Sequence, residues 1–122
     1  MATLTVSSSN VLDDNGARIL DLDGALAAAA DTSNDFFNNG DVVLVVSNGG
    51  ASAVTATIKG QPDPYGRGGA TVGDVAMAVA AGKIGISGLL NPAMFNSGGK
   101  TTFTLSATAS VKIGVIRLRK LR

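Results

Sequence analysis

The residues that could do chemistry are few, and their types already narrow what that chemistry is. The chain has no histidine and no cysteine. This removes Ser-His and Cys-His nucleophiles, disulfides, haem attachment and nearly every zinc or copper site. Gly99-Lys100-Thr101 ends like a phosphate-binding loop. That motif needs a first glycine five residues before Gly99, where Met94 stands, and a helix where a strand is expected to follow. Gly66-Arg67-Gly68-Gly69 fails as a dinucleotide fingerprint, because Thr71 occupies the third glycine position.

Acidic residues offer two further candidates. The turns Asp13-Asp14-Asn15-Gly16 and Asp21-Leu22-Asp23-Gly24 resemble calcium loops at first sight. Aligned on their glycines as EF-hands, they place Val11 and Ile19 at position 1, and Leu22 and Ala30 at position 12. A bidentate acid is needed at position 12, so both read as ordinary solvated turns. A glycosidase pair needs two acids at a fixed separation across a cleft. Every acid here is an Asp in or beside a turn, Trp is absent, and Tyr65 is the single tyrosine on which a sugar could stack. The expectation is a protein that is not an enzyme, with no cofactor and no metal.

Charge is the remaining resource. Residues 1–61 hold seven acids and two bases, and residues 62–122 hold eight bases and two acids. The halves therefore carry −5 and +6 within a net charge of +1. Such asymmetry can steer contacts between copies of one chain, although a sandwich that mixes the halves in space cancels much of it. The densest cluster is Arg117-Leu118-Arg119-Lys120-Leu121-Arg122. Alternation puts Arg117 and Arg119 on one face of a strand that also carries Ile113 and Val115. Arg117, Arg119, Lys120 and Arg122 are candidate partner contacts, forming an arm for an acidic surface; the competing role is a solubilising guard on a strand end. Without interleaved aromatics, specific nucleic-acid binding is not expected. Tyr65 and Arg67, in the Pro- and Gly-rich loop 60–69, are the other candidate contacts.

The elements that must position these residues are short. A chain of 122 residues suits one domain, and 16 Gly with only five aromatics (four Phe and one Tyr) suits strands joined by tight turns. Residues 2–8 alternate as a strand, 13–16 form a turn, and 18–22 suggest a second strand. Residues 24–31 are alanine-rich but under three turns long, so one helical turn or a packed loop is expected. Residues 32–39 suggest a loop that tucks one of Phe36 and Phe37 into the core. The apolar run in 41–47 is the strongest strand and implies cover on both faces. Asn48-Gly49-Gly50-Ala51-Ser52 looks like a hairpin loop, with 53–58 as the returning strand. Residues 71–80 are ambiguous between helix and strand, and flanking glycines favour strand. Strands follow at 83–86, 101–107 and 110–118, with a loop at 88–96 and a tight connection at Thr108-Ala109. The expected fold is all-β: a single antiparallel β-sandwich spanning 1–122, jelly-roll-like or Ig-like, with about seven or eight short strands. The start of the chain lacks a basic, apolar leader pattern, and no run of about 18 apolar residues suggests a membrane span.

Three stretches in order carry a resemblance: VVLVVSNGG with AVTATI, then AAGKIGISGLLNPAMFN, then TTFTLSATASVKIGVIRL. Together with a Phe-Phe-Asn-Asn-Gly turn, this pattern resembles a family of small all-β virion proteins of tailed bacteriophages, over roughly residues 36–118. The resemblance implies a structural protein of the particle, most simply a head decoration or cement protein on the capsid surface, made in the host cytoplasm. Its partners would be the major capsid protein and copies of itself, with a trimer as the expected assembly. A tail, baseplate or head–tail connector component is the alternative within that class. A module binding carbohydrate or a host surface through loop 60–69 is the alternative outside it. Residues 119–122 extend past the family pattern.

Overall fold

Five consecutive apolar residues, Val42 to Val46, leave no polar face for solvent, so the strand that contains them has to lie inside a sheet and under cover. The computed structural model describes residues 2–4, 11–13, 26–61 and 73–119, with residues 2, 11–13 and 119 given by their backbone alone. Among these residues the strands are β1 (Ala2–Leu4), β2 (Val11–Asp13), β3 (Ala27–Ala28), β4 (Ser33–Phe37), β5 (Val42–Asn48) and β6 (Val54–Ile58). They continue with β7 (Val75–Val79), β8 (Ile84–Ile86), β9 (Asn96–Ser97), β10 (Lys100–Leu105) and β11 (Val111–Arg119). One short helix, α1 (Pro92–Phe95), precedes β9.

Two sheets result. The first runs β1-β4-β10-β6-β7, with β9 also on β10. The second runs β2-β11-β5-β8, with β3 also on β11. Pairing is antiparallel except for β1 with β4 and β2 with β11, which are parallel. The expected all-β sandwich is therefore present. Among the described strands, its antiparallel rule is broken by the two N-terminal ones.

Alternation explains the core. From β5, Val42, Leu44 and Val46 face the other sheet, and Val111, Ile113 and Val115 from β11 join them. The opposing face supplies Phe36, Val54, Ala56, Ile58, Phe103 and Leu105. The rings of Phe36 and Phe103 meet at 6.0 Å, tilted by 51°. The odd members of β5 lie on its second face, where Val43 and Val45 cluster with Ile116 and are packed by Leu26. Burial on both faces follows directly from the unbroken apolar run.

Several expectations need correction. Residues 48–52 do not close a hairpin, because β5 pairs with β11 and β8 while β6 pairs with β10 and β7. The chain arches from one sheet to the other. The same holds from β7 to β8 and from β10 to β11, where Ser110 turns the backbone at φ 60°. Local turn chemistry is identical in arch and hairpin. The difference lies in the demand of β5 for neighbours on both sides. Residues 33–37 are a strand, not a loop, with Phe36 buried and Phe37 half exposed. No helix forms at 27–28, which pair with β11 instead. The segment 88–96 is not all loop, because Asn91 caps α1 by accepting from the Ala93 N–H at 2.9 Å. Residues 75–79 form a strand, as the flanking glycines suggested. Of the expected turn at 13–16, Asp13 instead ends β2; its residues 14–16, the expected strand at 18–22 and most of loop 60–69 lie outside the described residues.

Candidate functional site

Of the six residues singled out from the sequence, Arg117 alone has a described side chain. It continues the inward row of Ile113 and Val115, but at the rim of the sandwich where β5 begins. There its Nε lies 3.4 Å from Oδ2 of Asp41, with the two side chains 35% and 43% exposed. That is an ion-pair distance without hydrogen-bond geometry: neither Arg117 Nε nor Asp41 Oδ1 finds a hydrogen-bond partner. The backbone secures the same corner, since the Leu118 N–H donates to the Asp41 carbonyl at 2.7 Å. The Arg117 guanidinium therefore lies beside Asp41 as a half-exposed rim contact. Arg119 is the last residue of β11, in register with Asp13. Tyr65, Arg67, Lys120 and Arg122 lie outside the described residues.

The same end of the sandwich carries a polar knot built on Asn38, which is buried. Its Nδ2 donates to the Leu90 carbonyl at 3.1 Å and to Thr101 Oγ1 at 3.0 Å, and its Oδ1 accepts from the Gly40 N–H at 2.8 Å. Asn96 Nδ2 donates to the Asn38 carbonyl at 2.7 Å, and Thr101 Oγ1 donates to Asn96 Oδ1 at 2.6 Å. Every group is matched, so the knot fixes the segment around α1 to β4 and β10 and leaves nothing to react.

At the opposite end, a pit of about 310 Å³ opens between the two arches 49–53 and 106–110. Asn48, Gly50, Ala51, Ser52, Ala53, Val54, Ala107, Ala109 and Ser110 line it. No ionisable side chain is among them. The Asn48 carboxamide is already engaged by the Ser52 and Val79 carbonyls and by the Gly50 N–H. Among the described residues no group of three or more acids, histidines or cysteines is placed to hold a metal ion. In the sequence Asn38 and Asn48 look like turn residues. Asn48 stands next to Gly49 and Asn38 two residues before Gly40, a spacing that signals a turn and conceals the buried role.

The described surface offers contact chemistry. Phe37, Val75, Ile84, Ile86, Leu89, Met94 and Leu118 are large apolar residues left exposed, and Lys100 Nζ sits 4.8 Å above the Phe37 ring. Comparison with known proteins adds no relative: no family model, no curated protein and no solved structure matches the chain. No described helix is long and apolar enough to cross a membrane.

Proposed function

We propose that this chain is a structural protein of a bacteriophage particle, a capsid decoration or cement protein that braces major capsid subunits. The observation that carries the reading is the ordered set of sequence patterns quoted above, which resembles small all-β virion proteins. The fold is compatible with it. A β-sandwich whose arches are pinned by fully bonded asparagines is rigid, and exposed Phe, Ile and Leu side chains suit association by surface contact. A tail, baseplate or connector position draws on the same features. Binding of carbohydrate or a host surface through Tyr65 and Arg67 draws on the sequence alone.

Copy number separates these readings. Quantitative mass spectrometry of purified particles, referred to the major capsid protein, gives hundreds of copies for decoration and a few dozen or fewer for a tail or connector. Absence from particles overturns the proposal. Within it, removing residues 119–122 weakens attachment in a salt-dependent way while the domain stays folded, and unchanged attachment at physiological salt excludes the basic end as a contact.

A further inference from the structure

The most unusual stretch of surface is one lateral side of the sandwich. Strands β7 and β8 end their respective sheets on that side, so two edges lie together with no described strand beyond either. Natural sheets guard such edges with charge. Here the 25 residues from 75 to 99 contain one charged residue, Lys83. Val75, Ile84, Ile86 and Leu89 are respectively 41%, 52%, 58% and 58% exposed.

The geometry of β8 says what fits there. The Asn48 N–H donates to the Lys83 carbonyl and the Ser87 N–H donates to the Leu44 carbonyl, both at 2.9 Å. Residues 83 and 87 therefore turn their backbone groups toward β5, as does Gly85 opposite Val46. Alternation points the N–H and C=O groups of Ile84 and Ile86 the other way, along the open edge. Gly85 meanwhile faces inward, where a Cβ would come within 2.8 Å of Val79 Cγ2. The backbone of β8 thus lies close against the side chains of β7.

We propose that β8 is a self-pairing edge, through which two copies of this chain join antiparallel about a twofold axis at Gly85. The sequence Lys83-Ile84-Gly85-Ile86-Ser87 is nearly symmetric about its centre, which is what an isologous contact requires. Pairing places Ile84 of each copy opposite Ile86 of the other and closes four backbone hydrogen bonds. It brings four isoleucines together as a continuation of the apolar face formed by Val43, Val45 and Ile116. Charge agrees with this register: each Lys83 lies opposite Ser87 of the other copy, so no like charges meet. Three paired residues bury less than the roughly 800 Å² per partner of a long-lived interface. Val75 and Leu89 widen the contact, and the dimer exchanges in solution. The inference is independent of the phage reading. A closed trimer would instead use a heterologous contact and gain nothing from the symmetry of β8.

The test combines mass and register. Sedimentation equilibrium of the full chain, up to about 0.5 mM, gives a reversible dimer. Ile86→Lys weakens it by about tenfold or more while circular dichroism and the unfolding midpoint stay close to those of the parent. A monomer throughout, a trimer, or a dimer indifferent to Ile86→Lys overturns the proposal. For register, the chain has no cysteine of its own. Mixing Ile84→Cys with Ile86→Cys yields an oxidised heterodimer, because paired Cα atoms lie about 5.5 Å apart. Each variant alone cross-links poorly, since like positions are about 8–9 Å apart and beyond disulfide reach. Equal cross-linking by the single variants excludes this register.

Discussion

The Asn48 carboxamide donates to the Val79 carbonyl at 3.0 Å, joining the end of β5 in one sheet to the end of β7 in the other. The same side chain donates to Ser52 at 2.8 Å and accepts from Gly50 at 3.0 Å, and the Asn48 carbonyl accepts from the Gly82 N–H at 2.8 Å. One residue thereby organises two arches, 49–53 and 80–83. Neither arch has a cross-strand ladder to hold it, so the side chain supplies the bonds that a hairpin would supply from its backbone.

Replacing that side chain is expected to be costly. Asn48→Ala removes three hydrogen bonds, one of them to the Val79 carbonyl, a loss of about 3 kcal/mol. Asn48→Asp is worse, because a carboxylate would face two carbonyl oxygens in a dry site. Equilibrium urea denaturation measures both; a loss under about 1 kcal/mol for the alanine variant shows that the arches hold without it.

Close approach of β7 and β8 gives a second expectation. A Cβ on Gly85 would lie 2.8 Å from Val79 Cγ2 and 3.2 Å from Met77 Sδ. Gly85→Ala should destabilise by about 1–3 kcal/mol through overpacking. Adding Val79→Ala makes room for the new methyl, so the double variant should be more stable than the sum of the two single changes predicts. Strict additivity in the double-mutant cycle means the contact is not tight.

Adjacent phenylalanines should behave oppositely. Phe36 is fully buried against Phe103, and Phe36→Ala is expected to cost about 3–5 kcal/mol. Phe37 is 53% exposed with Lys100 above its ring, and Phe37→Ala should cost less than about 1 kcal/mol. Thermal or urea unfolding of the two variants side by side checks the assignment of faces on β4.

The Arg117–Asp41 pair is partly solvated and lacks hydrogen-bond geometry. Its coupling, measured by a double-mutant cycle of Arg117→Ala and Asp41→Ala, should be below about 1 kcal/mol and should shrink in high salt. A larger, salt-insensitive coupling would make this corner a structural anchor instead of a rim contact.

Much of the architecture was legible in local pattern. The run from Val42 to Val46 demanded a strand covered on both faces, and the alternation in residues 101–107 put Phe103 and Leu105 on one face, which is buried. The 33–37 strand was missed because Asn34 and Asp35, poor strand formers, are buried there. Asn34 Nδ2 donates to the Asp31 carbonyl and Asp35 accepts from Thr3 Oγ1, partners that propensity does not see. Of the candidate contacts, the basic stretch was visible as charge. That Arg117 lies beside Asp41 was not, because the two are brought together by the pairing of β5 with β11.

By itself the sequence determined an all-β chain with a two-faced central strand and, lacking histidine and cysteine, a narrow range of chemistry. Those properties follow from residue type and period, which are local. Only the tertiary structure decided which strands pair. The Asn-Gly turn after β5 is compatible with a hairpin or an arch, and the choice fell to contacts made far along the chain. Val79, 31 residues beyond Asn48, and β11, which fills the side of β5 that a hairpin partner would take, make the arch the arrangement that buries both faces of β5.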